Sequence, residues 1–81
     1  MTKKGKLVDK LTGKGPFTWK DLNNLLILLG YTPLQGSGSR VKFHHQDPTL
    51  TISLHRPHPG NEIKYYARKQ IIETLRFGGL I

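Results

Sequence analysis

The chain has 81 residues with 13 lysines and arginines, only five acidic residues and no cysteine, so its formal net charge is +8. A chain of this length buries only about 60–65% of the surface that it exposes when unfolded, which limits it to one small core. The absence of cysteine excludes disulfides and thiolate metal sites. No segment approaches the roughly 18 apolar residues that span a membrane, and the N-terminus lacks the apolar run of a signal peptide. We therefore expect one cytoplasmic domain without membrane association, and the excess charge favours a nucleic acid as its partner over an acidic protein or anionic lipid.

The first 15 residues are a basic N-terminal extension with five lysines. Its only large apolar residues are Leu7, Val8 and Leu11, and their spacing permits one or two helical turns. We expect either a short docking helix or a frayed segment here, followed by a single domain over residues 16–81.

The segment FTWKDLNNLLILLGY, residues 17–31, predicts a helix with both ends marked. Thr18 is a good N-cap, and Asp21 lies where a carboxylate favours the exposed N–H groups and the positive end of the helix dipole. Gly30 supplies the residue that commonly follows the last turn. Apolar residues recur with the helical period and form one stripe: Trp19, Leu22, Leu26 and Leu29, widened by Leu25 and Leu28.

After Tyr31 the apolar residues alternate with a period of two, which predicts strands. Residues 31–36 predict a first strand that Pro33 confines to a sheet edge or a strand start. Two further strands each have an apolar and a polar face: Val41, Phe43 and His45 alternate with Arg40, Lys42 and His44, and Leu50, Ile52 and Leu54 alternate with Thr51, Ser53 and His55.

The linker QDPT, residues 46–49, predicts a four-residue hairpin loop between these two strands. Because both alternations must agree on the buried face, the register follows. On the apolar face the predicted pairs are His45 with Leu50, Phe43 with Ile52, and Val41 with Leu54. On the polar face they are His44 with Thr51, Lys42 with Ser53, and Arg40 with His55.

The rest of the chain predicts a second helix that begins at Asn61 or a neighbour and ends at the glycines of residues 78–79. Its inner stripe takes one residue per turn: Tyr66 or Ala67, then Ile71 and Leu75. The predicted fold class is α+β with the order α-β-β-β-α, in which both helices cover one face of a three-stranded antiparallel sheet.

The polar sheet face is the strongest functional signal. It gathers cations and imidazoles without a compensating acid: Arg40, Lys42, His44, His55 and nearby Arg56. Cations that contact phosphates release counterions and bind polyanions with a strong salt dependence. The alternative interpretation is a solvated strand face that stays charged to prevent aggregation.

Four histidines fall within 15 residues, at His44, His45, His55 and His58. A histidine can transfer a proton in RNA cleavage or ligate a metal, and a structural role is the competing interpretation for each. Because only Asp47 and Glu62 lie near them as further ligands, we expect no metal site.

Two other features have competing interpretations. The GSGS segment, residues 36–39, is similar to a phosphate-cradling loop but lacks the strand-before, helix-after context, so a tight turn or β-bulge is favoured. Tyr65 and Tyr66 are candidates for stacking on bases, although we expect at least one of them in the core.

Taken together, GSRVKF at residues 38–43, HPGNEIK at residues 58–64 and the element order resemble the HicA family, the small mRNA-interferase toxins of HicA–HicB toxin–antitoxin pairs. The resemblance runs from about residue 17 to residue 75. It implies a fold similar to the double-stranded-RNA-binding domain and metal-independent cleavage of single-stranded mRNA without a cofactor. It also implies neutralisation by a HicB-type antitoxin that covers the active face.

The family's hallmark is Gly-Ser-His followed, after two residues, by an aromatic residue, with the histidine catalytic. Aligned on Phe43, this pattern falls on residues 38–40, so Arg40 replaces the histidine. An arginine stays protonated and cannot readily act as a base, but it can bind a phosphate bidentately. We hypothesise that His55, directly across from Arg40, transfers the proton, with His44 as the alternative base.

The predicted RNA contacts are Arg40, Lys42, His44, Arg56, His58 and Lys64. Two other functions compete with the nuclease. One is a catalytically impaired module that only binds RNA or an antitoxin. The other is a DNA-binding domain, although the last helix lacks the pattern of a recognition helix.

Overall fold

A computed structural model of the protein describes residues 3–57 and 60–81. Its elements in chain order are α1 (Lys3–Thr12), α2 (Trp19–Leu28), β1 (Thr32–Gln35), β2 (Arg40–His44), a 3₁₀ turn (Pro48–Leu50), β3 (Ile52–His55) and α3 (Tyr65–Phe77). The strands form one antiparallel sheet in the order β1-β2-β3. The predicted α+β class and the order α-β-β-β-α are confirmed, with α1 in front of them, and the arrangement is consistent with a double-stranded-RNA-binding-domain-like fold.

Helix α2 begins and ends where its capping residues predict. The Thr18 side chain accepts a hydrogen bond from the Asp21 backbone N–H at 3.2 Å. Gly30 follows the helix with φ at +95°, a left-handed conformation that disfavours residues with a side chain. The inner stripe of α2 packs into the core, where Leu22 and Leu26 are fully buried. The assignment of Leu28 to this stripe is wrong, because its side chain is 50% exposed.

The central register of the sheet also agrees with the prediction. On the buried face Phe43 pairs with Ile52 and Val41 with Leu54, and on the other face Lys42 pairs with Ser53 and Arg40 with His55. Strand β1 lies at the sheet edge, as Pro33 requires.

The connection between β2 and β3 differs from the predicted four-residue loop. The Asp47 carboxylate accepts hydrogen bonds from the backbone N–H and hydroxyl of Thr49, at 3.0 and 2.7 Å, and Pro48 opens the 3₁₀ turn. These bonds hold the pKa of Asp47 below its usual value. Because this turn uses residues that the prediction assigned to the ladder, the predicted pairs of His45 with Leu50 and of His44 with Thr51 do not form.

Leu50 nevertheless reaches the core by another route. The Tyr31 hydroxyl donates a hydrogen bond to the Leu50 carbonyl at 2.7 Å, and both side chains are buried. Burial, followed by the negative charge of Asp47, raises the pKa of Tyr31. The loop is therefore anchored from its buried side.

Helix α3 begins at Tyr65, later than predicted. The preceding segment is instead extended against the start of α2, where the Trp19 N–H donates to the Asn61 carbonyl at 2.6 Å and the Ile63 N–H donates to the Phe17 carbonyl at 2.7 Å. These backbone groups are already bonded to another segment, so they cannot form a helical turn.

The inner stripe of α3 consists of Ala67, Ile71 and Leu75, all buried. Tyr66 is 71% exposed and Tyr65 is 80% exposed. The prediction that at least one of these tyrosines lies in the core is therefore wrong, because Ala67 occupies the inner position of the first turn.

Helix α1 packs on the same core through Leu11, which is 1% exposed, and its C-terminal end is held by one side chain from α3. Arg68 donates from Nη2 to the carbonyls of Lys10, Leu11 and Gly13 at 2.8, 2.9 and 2.9 Å, and from Nη1 to that of Gly15 at 2.7 Å. The carbonyls at a helix C-terminus lack partners within the helix, and the helix dipole there favours a cation. Arg68 therefore caps α1.

Candidate nucleic-acid interface

One face of the sheet is open to solvent and basic. Side chains of a strand alternate between faces, so Val41 and Phe43 point into the core while Arg40, Lys42 and His44 are exposed on the other side. Their strand partners place Ser53 and His55 on that same exposed side. We call the set Arg40, Lys42, His44 and His55 the cationic face.

Arg40 and His55 lie opposite each other on β2 and β3, in the type of pair whose side chains are closest. The Arg56 N–H donates to the Ser39 carbonyl at 2.7 Å, so residues 39 and 56 are a hydrogen-bonded pair. Such pairs alternate along an antiparallel ladder with non-hydrogen-bonded pairs, whose side chains lie closer together. Arg40 and His55 form one of these closer pairs, and we expect their Cβ atoms about 4.5–5.5 Å apart.

These two residues line a groove of about 550 Å³ on the sheet. Its polar and charged lining comes from both strands and from the turn before β2: Ser37, Arg40, Lys42, Ser53 and His55. We call it the sheet groove. None of its lining residues is acidic, and within residues 3–57 and 60–81 neither Arg40 nor Lys42 forms an ion pair.

The turn before β2 fixes the start of that strand. The Arg40 N–H donates to the Ser37 carbonyl at 3.3 Å, and the Gly36 N–H donates to the Arg40 carbonyl at 2.9 Å. Gly38 adopts φ of +65°, and a Cβ on Gly36 would lie 3.2 Å from the Arg40 Cβ. The tight-turn interpretation of residues 36–39 is thus confirmed.

Ser39 is a site residue that the sequence reasoning missed. Its hydroxyl oxygen lies 3.5 Å from Nδ1 of His55, a long contact in which either group can donate, depending on the imidazole tautomer. Extending the predicted register by one residue beyond the pair of Arg40 and His55 would have placed Ser39 beside β3. This contact leaves Nε2 of His55 without a hydrogen bond in the part of the chain described.

The other two described histidines lie apart from the sheet groove. His44 pairs with Thr32 of the edge strand, four residues along β2 from Arg40, which corresponds to about 13 Å at the usual strand rise. His45 packs on the Tyr31 ring with centroids 4.8 Å apart, and its Nδ1 accepts a hydrogen bond from the Asp47 N–H at 3.1 Å. Both contacts of His45 are with the protein's own loop and core, which favours the structural interpretation of this histidine.

Of the remaining predicted contact residues, Arg56 follows β3 and Lys64 precedes α3, and both are exposed. They line a second cavity, which also borders His55. His58 lies outside the described residues. Arg68 in α3 is also a cation, but it is buried and its Nη1 and Nη2 groups donate hydrogen bonds within the protein.

Two features are absent from the described ranges. No group of three or more histidine, aspartate and glutamate side chains is arranged to hold a metal ion. No helix there has the length and apolarity needed to cross a membrane.

The fold and this face define a small α+β domain with helices on one side of a sheet and a basic surface on the other. Comparison with known families identifies it further: residues 19–76 match the family described as the HicA toxin of bacterial toxin–antitoxin systems. The match covers well over half of the chain, so the protein belongs to the HicA toxin family, as its sequence motifs predicted. Comparisons with curated proteins and with solved structures gave no match. Family membership assigns the chain the toxin role of a toxin–antitoxin pair.

Proposed function

We propose that this toxin is an endoribonuclease that cleaves mRNA without needing a metal ion. The observation that supports this most directly is the pairing of Arg40 with His55 on an exposed sheet face that has no acidic side chain. A permanent cation beside a side chain that can exchange a proton suits the cleavage of a phosphodiester next to a 2′-hydroxyl.

In the proposed mechanism the scissile phosphate lies in the sheet groove against Arg40 and Lys42. His55 takes the proton of the ribose 2′-hydroxyl while the 2′-oxygen attacks the adjacent phosphorus. The bond from phosphorus to the 5′-oxygen of the next nucleotide breaks, and that oxygen receives a proton from water. The products are a 2′,3′-cyclic phosphate and a 5′-hydroxyl end, and Arg40 stabilises the charge that develops on the phosphate oxygens.

Two side chains have secondary roles in this proposal. Ser39 orients the His55 ring through its contact with Nδ1. His44 remains the alternative base, ranked second because its position along β2 separates it from Arg40. The RNA strand extends from the sheet groove over further contacts: His44, Arg56, His58 and Lys64.

The partner in this proposal is a HicB-type antitoxin that covers the cationic face and so excludes RNA from it. An acidic surface on the antitoxin would complement the cations of this face. Because mRNA is the substrate, we place the protein in the cytoplasm. Residues 1–15 are an addition to a toxin domain of residues 16–81, in line with a family match that starts at residue 19.

One observation favours a second candidate function. Arg40 occupies the position where the family pattern has a histidine, and an arginine does not act as a general base. If His55 cannot replace that histidine, the protein is an RNA-binding or antitoxin-binding module without nuclease activity.

The decisive experiment is incubation of the purified protein with an mRNA and with a matched 2′-deoxy strand, each with and without EDTA. We expect cleavage of the RNA alone, unaffected by EDTA, with 2′,3′-cyclic phosphate ends. Binding without cleavage would support the second candidate. Preference for DNA over RNA in competition at equal salt would overturn both candidates.

A further inference from the structure

A second cavity lies directly beside the sheet groove. It has a volume of about 390 Å³ and lies between the end of β3, residues 57 and 60–64, and the first turn of α3. We call it the α3 cavity. His55 and Leu54 border both the α3 cavity and the sheet groove, so the two spaces adjoin at the end of β3, where His55 belongs to the proposed site.

The two spaces differ in chemistry. The inner wall of the α3 cavity is apolar and largely buried, since Trp19, Ile63 and Ala67 are each less than a tenth exposed. Its outer rim holds the cations Arg56 and Lys64. The sheet groove also borders Val41 and Leu54, but most of its lining is polar or charged, with two cations, His55 and two serines.

Tyr66 also lines the α3 cavity, and its ring contributes little to the core because it is 71% exposed. An aromatic ring this open beside an apolar cavity is available to stack on a flat ligand. Nucleobases stack on such rings regardless of sequence. The neighbouring Tyr65 is equally open but lines a different cavity, together with Arg68 and Lys69.

We propose that the α3 cavity holds the nucleobase adjacent to the scissile phosphate, with Tyr66 stacking on that base. This inference rests on the proposed function, because it assumes that the phosphate lies in the sheet groove. A nucleotide joins an anionic phosphate to a flat, weakly polar base through one ribose. The cationic groove and the apolar cavity, which adjoin at His55, match those two parts in order.

The cavity fits a base better than it fits the phosphate itself. Its inner wall offers carbon surface, which a phosphate cannot use, while its two rim cations suit the phosphate on the other side of the same nucleotide, away from the scissile one. An apolar side chain of the antitoxin is the competing occupant, and the test below separates the two.

The test measures binding instead of cleavage, so it does not depend on whether the protein is an active nuclease. The probe is a short 2′-O-methyl oligonucleotide, which cannot be cleaved by attack of a 2′-hydroxyl, labelled for fluorescence anisotropy. Trp19 lines the cavity and is the only tryptophan, so its emission reports whether a base has entered. Tyr66→Ala is compared with Tyr65→Ala, which removes an equally exposed ring outside the cavity.

We expect the oligonucleotide to change the emission of Trp19. We expect Tyr66→Ala to weaken binding about 5- to 150-fold, the usual range for loss of one stacking contact. Tyr65→Ala and Tyr66→Phe should bind like the unchanged protein. Circular dichroism should show all three variants folded, since both tyrosines are exposed.

Each other outcome overturns the inference. If the two alanine variants bind equally, or if binding leaves the emission of Trp19 unchanged, the base lies elsewhere although the proposed RNA binding stands. If Tyr66→Ala weakens binding of the antitoxin and not of the oligonucleotide, the cavity receives a protein side chain. If the unchanged protein does not bind the oligonucleotide at all, the proposed function fails together with this inference.

Discussion

Arg40 and Arg68 have the same side chain in opposite environments. Arg68 is 9% exposed and donates four hydrogen bonds to backbone carbonyls of residues 10–15, with its guanidinium 5.7 Å from the centroid of the Phe17 ring. Arg40 is exposed on the sheet, and its guanidinium has no hydrogen bond or ion pair to the described residues. One cation is hydrogen-bonded within the protein, whereas the other is available to a ligand.

This difference shows why net charge alone overstates the binding surface. A buried guanidinium whose donors are used by carbonyls stabilises the fold and adds nothing to a nucleic-acid site. An exposed guanidinium with no acid nearby has no ion pair through which to stabilise the fold, so it remains free for the ligand that we propose.

The largest effect should follow from breaking the site at His55. We expect His55→Ala and Arg40→Ala each to lower RNA cleavage about 10²–10⁴-fold, the usual contribution of a positioned proton-transfer or charge-stabilising group. The free energy of unfolding should change by less than about 0.5 kcal/mol, because both side chains are exposed. Single-turnover cleavage and urea denaturation measure the two quantities.

His44→Ala sharpens this test, since His44 lies on the same face but away from the sheet groove. We expect RNA cleavage to fall by less than about tenfold, because this change removes only one contact to a phosphate. If His44→Ala abolishes cleavage and His55→Ala does not, the two histidines exchange roles. If only Arg40→Ala loses activity and both histidine variants retain it, the proposed division of labour is wrong.

The next largest effect concerns the buried arginine. We expect Arg68→Met to lower the free energy of unfolding by about 2–4 kcal/mol, because it leaves the carbonyls at the end of α1 without their donor. Urea denaturation measures the loss, and Lys69→Met, which changes an exposed cation on the same helix, is the matched control with an effect below about 0.5 kcal/mol. RNA cleavage per folded molecule should stay unchanged. If Arg68→Met is as stable as the control, the hydrogen bonds from Arg68 to the end of α1 do not contribute to the free energy of unfolding.

A smaller effect is expected at Lys42, which lines the sheet groove without touching the proposed proton transfer. Lys42→Ala should weaken RNA binding modestly and reduce the slope of log K against log salt by about 0.7, the value for one lost contact to a single-stranded phosphate. Anisotropy titrations over a range of salt concentrations measure the slope. Lys20→Ala, an exposed lysine on α2, should leave both the affinity and the slope unchanged; an equal effect of the two variants would indicate binding to the whole charged surface.

The smallest effect comes from Asp47, a charge that has internal partners yet stays exposed. Hydrogen bonds from Thr49 lower its pKa in the folded state, so its contribution to stability is present above the unfolded value of 3.8 and is lost as the pH falls through the lower folded value. We expect the melting temperature of Asp47→Asn to lie below that of the unchanged protein at neutral pH and to converge with it under acidic conditions. Thermal denaturation from pH 2 to pH 7 tests this, and a difference that is constant with pH would show that ionisation of Asp47 is not involved.

The sheet prediction succeeded where local pattern and long-range packing give the same answer. The alternation of Val41 and Phe43 with Arg40 and Lys42 permits only one buried face, and the central pairs of β2 with β3 follow from it. It failed at His45 and Leu50, because Asp47 and Pro48 stabilise a local turn that shortens the ladder. The site prediction used the same register, which gave the pair of Arg40 and His55. It stopped one residue short of Ser39, which an extension of that register would have placed beside β3.

Tertiary packing decided where α3 begins and which distant segments hydrogen-bond to each other. No periodicity could place Asn61 and Ile63 against the start of α2, since their hydrogen bonds join segments more than 40 residues apart. The same holds for Tyr66, which the helical period allowed in the core but which Ala67 displaces to the mouth of a cavity.

By itself, the sequence determined the element order, the buried face of the sheet and the family resemblance, because these depend on periodicity, capping residues and short motifs that act over a few residues. Only the tertiary structure decided which of the 13 basic residues are free for a ligand and which, like Arg68, are used internally. The physical reason is that the partners of a cation are set by the groups that folding brings within hydrogen-bonding distance. For Arg68 those groups lie more than 50 residues earlier in the chain.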